Sequence, residues 1–155
     1  MKFAGGVQMK ELPELLAGLS AADHNYAFFC LQTLEEESCN SARIYNFLDV
    51  FTAMLWSENS YLRTRGFRLI AANAKWDSAN KIEAVQARCL ACLRDVKPTA
   101  ARQCLKALPA LAAAKPLWKS DIITALAGIN ISSYPPSMQP LLAKDVRDAL
   151  DALGQ

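Results

Sequence analysis

Residues 60–75 read SYLRTRGFRLIAANAK, and the spacing of their core positions predicts a helix with one buried face. Leu62, Gly66, Leu69 and Asn73 recur at intervals of four, three and four residues, which places them on the same side of an α-helix. No segment of the chain alternates strictly between apolar and polar residues over more than a few positions, so we predict no strand. The chain is therefore expected to be all-α.

The same register returns elsewhere in the chain. In each case an apolar residue is followed by arginine, with core positions three and six residues after the arginine. Arg102 follows Arg63 by 39 residues, and Arg147 follows Arg102 by 45 residues. The position 39 residues before Arg63 is held by His24, again with small or apolar residues in the two core positions. A repeat near 40 residues built from two antiparallel helices is typical of HEAT or armadillo arrays.

Breaks in the apolar pattern, together with start signals such as Asn80 followed by Glu83, Pro98 and Pro116, give the helix boundaries. Eight helices are predicted, near residues 9–19, 22–37, 41–56, 60–75, 80–95, 98–114, 116–130 and 137–153. We therefore predict a right-handed α-solenoid of about four HEAT-like antiparallel helix pairs. The pairs lie near residues 9–37, 41–75, 80–114 and 116–153, within a single repeat domain over residues 1–155.

Two resemblances accompany this pattern. The run at 61–77, YLRTRGFRLIAANAKWD, resembles a small family of uncharacterised bacterial HEAT-like proteins. The stretch from Trp56 through Asn59 into Arg63 and Arg65 is similar to a segment of the DNA-alkylation-repair glycosylases, which are also HEAT-like. That second family excises bases with an acidic residue and aromatic side chains in a concave cleft, so the resemblance implies nucleic-acid binding as an alternative function.

Catalysis by that route is not expected here. Trp56, Trp76 and Trp118 fall at or near predicted helix ends, where a role in anchoring turns is favoured over base contact. His24 is the single histidine, and Cys30 lies about 240° around the same helix from it, too far round to act as a paired nucleophile. A surface or capping role is expected for His24, and no catalytic residue is predicted.

The cysteines indicate neither a metal nor a redox site. Cys89 and Cys92 form a C-x-x-C, but a structural zinc site needs four ligands and no second pair accompanies them. Both lie on an apolar stripe with Ile82, Val85 and Val96, so they are interpreted as core residues. Neither a metal nor a cofactor is predicted.

Composition indicates the cellular setting. With 52% hydrophobic and 21% charged residues, the chain is typical of globular proteins. Residues 1–8 lack an extended apolar stretch and a cleavage site, and no apolar run is long enough to span a membrane. Five cysteines, an odd number, favour free thiols in a reducing compartment. We expect a cytoplasmic protein without a membrane partner.

The charge distribution is the strongest functional signal. Residues 59–119 hold 12 basic and 3 acidic side chains, whereas residues 1–58 hold 3 and 8 and residues 120–155 hold 2 and 4. Such asymmetry predicts a basic binding region in the middle of the chain. Four side chains are predicted to bind a partner there: Arg65, Arg68, Arg102 and Lys106.

Helical geometry supports this choice. Arg65 and Arg68 are predicted to face solvent about 60° apart, and Arg102 and Lys106 to lie side by side at i, i+4. The second helices of HEAT repeats usually line the concave surface, so these residues would form a cationic strip.

The arginine register itself has a structural interpretation. Arg63, Arg102 and Arg147 occupy the position of the arginine ladder in HEAT repeats, which pairs with acids between neighbouring repeats. Arg63 and Arg147 are expected to be structural, with Glu58 and Asp95 as plausible partners. Two roles therefore remain open for the central arginines: binding a partner, or pairing with acids between neighbouring repeats.

The predicted function is a non-enzymatic scaffold that binds a protein, whose identity is unknown, through the concave face of the stack. The alternative is a nucleic-acid-binding module that uses the basic centre. The acidic run 35–37 at a helix C-terminus is expected to be solvated. It also suggests a weak head-to-tail homo-oligomer in which the acidic first pair meets the basic middle of another molecule.

Overall fold

The computed structural model describes residues 6–155, and every regular element in that range is helical. The eight α-helices are α1 (Leu12–Gly18), α2 (His24–Asn40), α3 (Leu48–Met54), α4 (Ser60–Asn73), α5 (Gln86–Cys92), α6 (Pro98–Ala114), α7 (Lys119–Ala127) and α8 (Gln139–Ala152). Short 3₁₀ turns cover Met9–Glu11, Ile44–Phe47, Ala74–Trp76, Lys81–Val85, Pro116–Trp118 and Ile131–Ser133. The all-α prediction with eight helices is confirmed for this range; residues 1–5 of the predicted domain lie outside it.

The even-numbered helices contact one another in sequence order. Helix α4 packs against α2 and α6, and α6 packs against α8. Each odd-numbered helix packs on the even-numbered helix that follows it. One apolar core runs through all of these contacts, and Phe51 and Phe67 are fully buried within it. Because α4 contacts α2, α3 and α6, eight of its 14 residues are buried. In the range described, no helix combines the length and apolarity needed to cross a membrane.

The start of the fifth helical region differs from its prediction. The 3₁₀ turn Lys81–Val85 begins directly after Asn80, close to the predicted start, but Asn80 adopts a left-handed conformation with φ 56° and its side chain makes no capping hydrogen bond. The Asp77 carboxylate instead accepts hydrogen bonds from the backbone N–H groups of Lys81 and Ile82, at 3.0 and 2.9 Å. Asp77 therefore performs the capping that the sequence pattern assigned to Asn80.

The apolar stripe of this region is also shorter than predicted. Cys89 and Cys92 are buried as expected, but α5 ends at Cys92 and the chain turns toward α6. Val96 consequently lies outside the helix and is 80% exposed, which corrects its assignment to the buried face. Of the other cysteines, Cys30 and Cys104 are buried and Cys39 is exposed.

The tryptophans near helix ends behave in two ways. The Trp76 indole donates a hydrogen bond to the carbonyl oxygen of Ser38 at 2.7 Å, and the Trp118 indole donates to Glu83 at 2.9 Å. Both therefore anchor turns, as predicted. Trp56 is exposed, and the Arg88 guanidinium lies 5.8 Å from its ring centroid.

A buried polar network joins three parts of the chain. Lys115, at the end of α6, donates hydrogen bonds to Asp77 at 2.8 Å and to Glu83 at 2.6 Å. The Tyr45 hydroxyl also donates to Asp77. The Asp77 side chain has no exposed surface, and the Lys115 side chain is only 6% exposed. The network thus fixes the turn before α5 against the end of α6 and against the 3₁₀ turn that precedes α3.

Two buried aspartates, Asp77 and Asp95, lead us to expect that acidic pH destabilises the fold. Burial alone would raise the pKa of each carboxyl, but hydrogen bonds from Lys115 and Tyr45 to Asp77, and from Arg63 to Asp95, hold both pKa values below their ordinary range. Such a carboxyl contributes stability above its unfolded-state pKa of about 4 and loses it as the pH falls through the folded-state pKa. We expect the free energy of unfolding in urea to be lower at about pH 3 than at about pH 7.

The control for this pH dependence is Asp148, an exposed acid on α8. An Asp95→Asn variant should lose stability less steeply with falling pH than the wild type. An Asp148→Asn variant should keep the wild-type dependence. Equal unfolding free energies in acid and at neutral pH would contradict this prediction.

Candidate functional site

A groove of about 540 Å³ lies where the starts of α4 and α6 meet the first turns of α2. Two of these helices begin with a side-chain cap: Asp23 accepts from Asn25 N–H at 3.0 Å, and Asn59 accepts from Tyr61 N–H at 2.9 Å. Helix α6 begins at Pro98 without a side-chain cap. The groove therefore borders three helix N-termini, whose dipoles favour negative charge nearby.

Two exposed aromatic rings form the apolar part of the groove. Phe28 on α2 is 47% exposed and Tyr61 on α4 is 51% exposed. The Arg68 guanidinium lies 5.9 Å from the Phe28 ring centroid, and the Arg65 guanidinium lies 5.4 Å from that of Tyr61. The His24 ring packs beside Tyr61, with their centroids 4.2 Å apart. Each ring therefore has a cation close to it, and both keep surface available for a ligand.

Arg65 is buried, which corrects the prediction that it faces solvent. The residue is 7% exposed, its Nη1 donates to the carbonyl oxygen of Leu19 at 2.7 Å, and its Nη2 lies 3.4 Å from His24 Nδ1. The prediction considered α4 as a helix with one covered face. In the structure, the end of α1 and the start of α2 cover its flank as well.

The charge of Arg65 has no acidic counterpart in the part of the chain that the structure describes. No carboxylate among residues 6–155 forms a salt bridge with it. Burial lowers the pKa of its guanidinium from the ordinary value. A buried cation without a counter-ion is costly, because burial removes water without supplying an opposite charge. The groove is the opening through which an anion would reach it.

Arg68 also lines the groove, but its charge is paired. Its Nη2 and Nε donate to the two carboxylate oxygens of Glu35 at 2.8 and 3.0 Å. Its Nη1 donates to Gln103 at 3.3 Å. Glu37 likewise pairs with Arg43, so the expectation of a solvated acidic run is wrong for these two glutamates. The Glu35–Arg68 contact lies within one molecule.

Arg102 and Lys106 do not belong to the groove. Arg102 Nε donates to Asp145 on α8 at 2.6 Å, in the contact between α6 and α8. Lys106 is exposed. The structure therefore brings Arg65 and Arg68 together but places Arg102 and Lys106 elsewhere, so the four residues do not form one cationic strip. Their roles in binding a partner stay predictions.

Arg63 has the structural contacts that its register predicts. Its Nε and Nη2 donate to the carboxylate of Asp95 at 2.7 and 2.9 Å. Its Nη1 donates to the carbonyl oxygens of Ser57 and Glu58, so Glu58 contributes its backbone rather than its carboxylate. Arg63 thus ties the turn before α4 to the turn before α6.

Arg147 departs from the ladder prediction. It is exposed and makes no salt bridge within the described range. By contrast, Arg63 pairs with Asp95, which follows α5, and Arg102 pairs with Asp145 on α8.

Acidic residues from other parts of the chain neutralise some of the positive charge counted in the middle of the sequence. Residues 59–119 are strongly basic in sequence, but Glu35 from before this segment and Asp145 from after it neutralise two of its arginines. Within the segment, Asp95 and Asp77 pair with Arg63 and Lys115. Pairing therefore reduces the positive charge of the segment, but eight of its 12 basic side chains form no salt bridge within residues 6–155.

Sequence reasoning missed Phe28 and Tyr61 as groove residues. Both lie outside the core positions of the repeat register, so an aromatic residue at a non-core position near a helix start was the available signal. Neither residue could be assigned to one groove before the helices were placed. The residues described contain no group of three or more His, Cys, Asp or Glu side chains positioned to hold a metal ion.

Comparison of the chain with protein-family models, with curated proteins and with solved structures gave no match. Function is therefore inferred from the geometry of the groove.

Proposed function

We propose that the chain is a short, right-handed HEAT-like α-solenoid that acts as a cytoplasmic, non-enzymatic scaffold and binds a partner protein through the groove. The order of helix contacts supports the solenoid, because each even-numbered helix packs on the next. The observation that carries the functional proposal is the groove itself. It combines the exposed rings of Phe28 and Tyr61 with the uncompensated buried cation of Arg65.

The dimensions and chemistry of the groove suit a peptide segment. A concave site of several hundred Å³ with apolar walls and few polar groups is typical of ligand-binding pockets. Aromatic residues such as Tyr61, surrounded by polar groups, are common energetic centres of protein interfaces. A partner side chain inserted between Phe28 and Tyr61 would bury apolar surface while its backbone lies along the helix starts.

Nucleic-acid binding is the alternative, favoured by one observation. Exposed rings beside guanidinium groups, as at Tyr61 and Phe28, are also suited to stacking of bases. Tracking of a phosphate backbone, however, requires several cations free of acidic partners. Of the lysines and arginines that line the groove, Arg68 is paired with Glu35. Arg65 and Lys97 are the two that form no salt bridge within residues 6–155, which favours a protein ligand over a phosphate backbone in the groove.

Selection from a displayed library of random peptides on the immobilised chain tests the proposal. We expect enriched peptides to bind the wild type and to bind a Phe28→Ala/Tyr61→Ala double variant at least about tenfold more weakly, because the groove loses both aromatic anchors. Fluorescence anisotropy with labelled peptides measures the affinities. Leu117→Ala is the matched control, since Leu117 is 95% exposed and does not line the groove.

Two results would contradict the protein-binding proposal. The first is the absence of any enriched peptide, and the second is equal loss of affinity in the groove variant and in Leu117→Ala. A parallel titration with labelled single- and double-stranded DNA and RNA at low and high salt addresses the alternative. Steeply salt-dependent binding that is lost in a Lys97→Glu/Lys106→Glu variant would favour a nucleic-acid ligand.

A further inference from the structure

We propose that the groove recognises an acidic peptide and that Arg65 binds a carboxylate of that peptide. This inference rests on the proposed protein-binding function and specifies the chemistry of the partner. The acidic group would come from an aspartate, a glutamate or a C-terminus placed next to an apolar side chain.

Arg65 differs from the other buried cations of the described residues in having no acidic partner. Three lysine or arginine residues are buried among residues 6–155: Arg63, Arg65 and Lys115. Arg63 has Asp95 as a partner, and Lys115 has Asp77 and Glu83. Arg65 alone of the three has no carboxylate, and it alone lines the groove between α2, α4 and α6. A ligand carboxylate would supply the missing counter-charge.

Arg65 retains hydrogen-bonding capacity for such a ligand. A guanidinium carries five N–H donors in a planar arrangement that suits carboxylates. The hydrogen-bonding contacts of Arg65 within the described range are those with the Leu19 carbonyl oxygen and His24 Nδ1, and they leave further N–H donors free. These two contacts also hold the guanidinium in place, which reduces the entropy lost on binding.

The surroundings favour a single carboxylate over a phosphate. Glu35 neutralises Arg68, the neighbouring cation in the groove, and its own negative charge would oppose a dianion. On the opposite wall, Lys97 and the uncapped start of α6 contribute a modest positive potential. The single buried positive charge of Arg65 therefore matches a ligand group with a single negative charge.

The apolar side chain beside the carboxylate has its own contacts. The Tyr61 ring lies 5.4 Å from the Arg65 guanidinium, so a ligand group paired with Arg65 would place its neighbour against Tyr61 and Phe28. An aromatic or large aliphatic residue adjacent to the acid would bury the most surface there.

N-acetyl-L-phenylalanine is a minimal probe of this arrangement, and its primary amide is the neutral control. Each is titrated into ¹⁵N-labelled wild-type chain and followed by ¹H–¹⁵N NMR. We expect the acid to shift the resonances of Tyr61, Arg65 and Thr99, which all line the groove. The acid should also bind at least about tenfold more tightly than the amide, because only the acid pairs with Arg65. Phenyl phosphate serves as a third probe.

Substitutions at Arg65 localise the effect. The preference for acid over amide should disappear in Arg65→Met and persist in reduced form in Arg65→Lys, which keeps the charge but not the planar donors. Amide dispersion in the NMR spectra shows whether each variant is folded. If Arg65→Met does not fold, the comparison of acid with amide on the wild type still decides the question.

Each outcome separates this inference from the broader proposal. Equal binding of acid and amide in the groove would overturn the carboxylate assignment while leaving a peptide-binding groove intact. Tighter binding of phenyl phosphate than of the acid would overturn it in favour of a phosphorylated ligand. Absence of groove shifts with the acid would also overturn it, whereas failure of the peptide selection bears on the proposed function.

Discussion

Asp77→Ala is expected to lower the free energy of unfolding by about 3–5 kcal/mol, because it breaks a buried network around a charge. The Lys115 ammonium would lose one of its two carboxylates, and the Tyr45 hydroxyl would lose its acceptor. The N–H groups of Lys81 and Ile82 would lose the carboxylate that caps them. Since folded domains are stable by only about 5–15 kcal/mol, urea denaturation followed by circular dichroism should show a much lower midpoint.

Two further variants identify the cause of this loss. Asp148→Ala removes an exposed acid and should change the unfolding free energy by less than about 1 kcal/mol. Adding Lys115→Met to Asp77→Ala should cost less than the sum of the single changes, because the methionine leaves no buried ammonium unpaired. An Asp77→Ala midpoint indistinguishable from the wild type would show that the network does not stabilise the fold.

Helix positions could be predicted from the sequence because each helix buries at least one apolar face, and the structure confirms eight helices over residues 6–155. Gly66, Leu69 and Asn73 are buried at the predicted spacing, whereas Leu62, also predicted as a core residue, is only half-buried and lies outside the core cluster. The start of the fifth region could not be predicted in the same way. Glu83 pairs with Lys115, 32 residues away, and is therefore not part of a capping box. Asp77 caps the backbone N–H groups at this turn instead, so contacts with the end of α6 determine how the region begins.

The candidate site was predicted less well because charge in sequence differs from charge in space. The count of arginines in the middle of the chain was correct, but the acids that pair with Arg68 and Arg102 come from other helices. Helical geometry placed Arg65 on an open face, whereas Leu19, directly after α1, and the start of α2 cover α4 there. The ladder role of Arg63 was predictable, since it depends on a repeated register.

Gly66→Leu is expected to destabilise the fold by about 3 kcal/mol or more through overpacking. The repeat register would permit leucine here, since the equivalent positions are held by Leu105 and Leu150. At Gly66, however, an added Cβ would lie 2.7 Å from the carbonyl oxygen of Phe51 and 2.8 Å from Met54 Cβ. The backbones of α3 and α4 therefore approach too closely for any side chain.

Helix propensity acts in the opposite direction, which makes the test informative. Replacing a glycine inside a helix by another residue gains up to about 1 kcal/mol in intrinsic propensity, so a net loss must come from packing between α3 and α4. Gly128→Ala is the matched control, because its Cβ would meet no atom closer than 3.5 Å. Urea unfolding should give a large loss for Gly66→Leu, a smaller one for Gly66→Ala and almost none for Gly128→Ala. If Gly66→Leu were as stable as the wild type, α3 and α4 could separate at little cost, and the close contact between these two helices would not be a determinant of the fold.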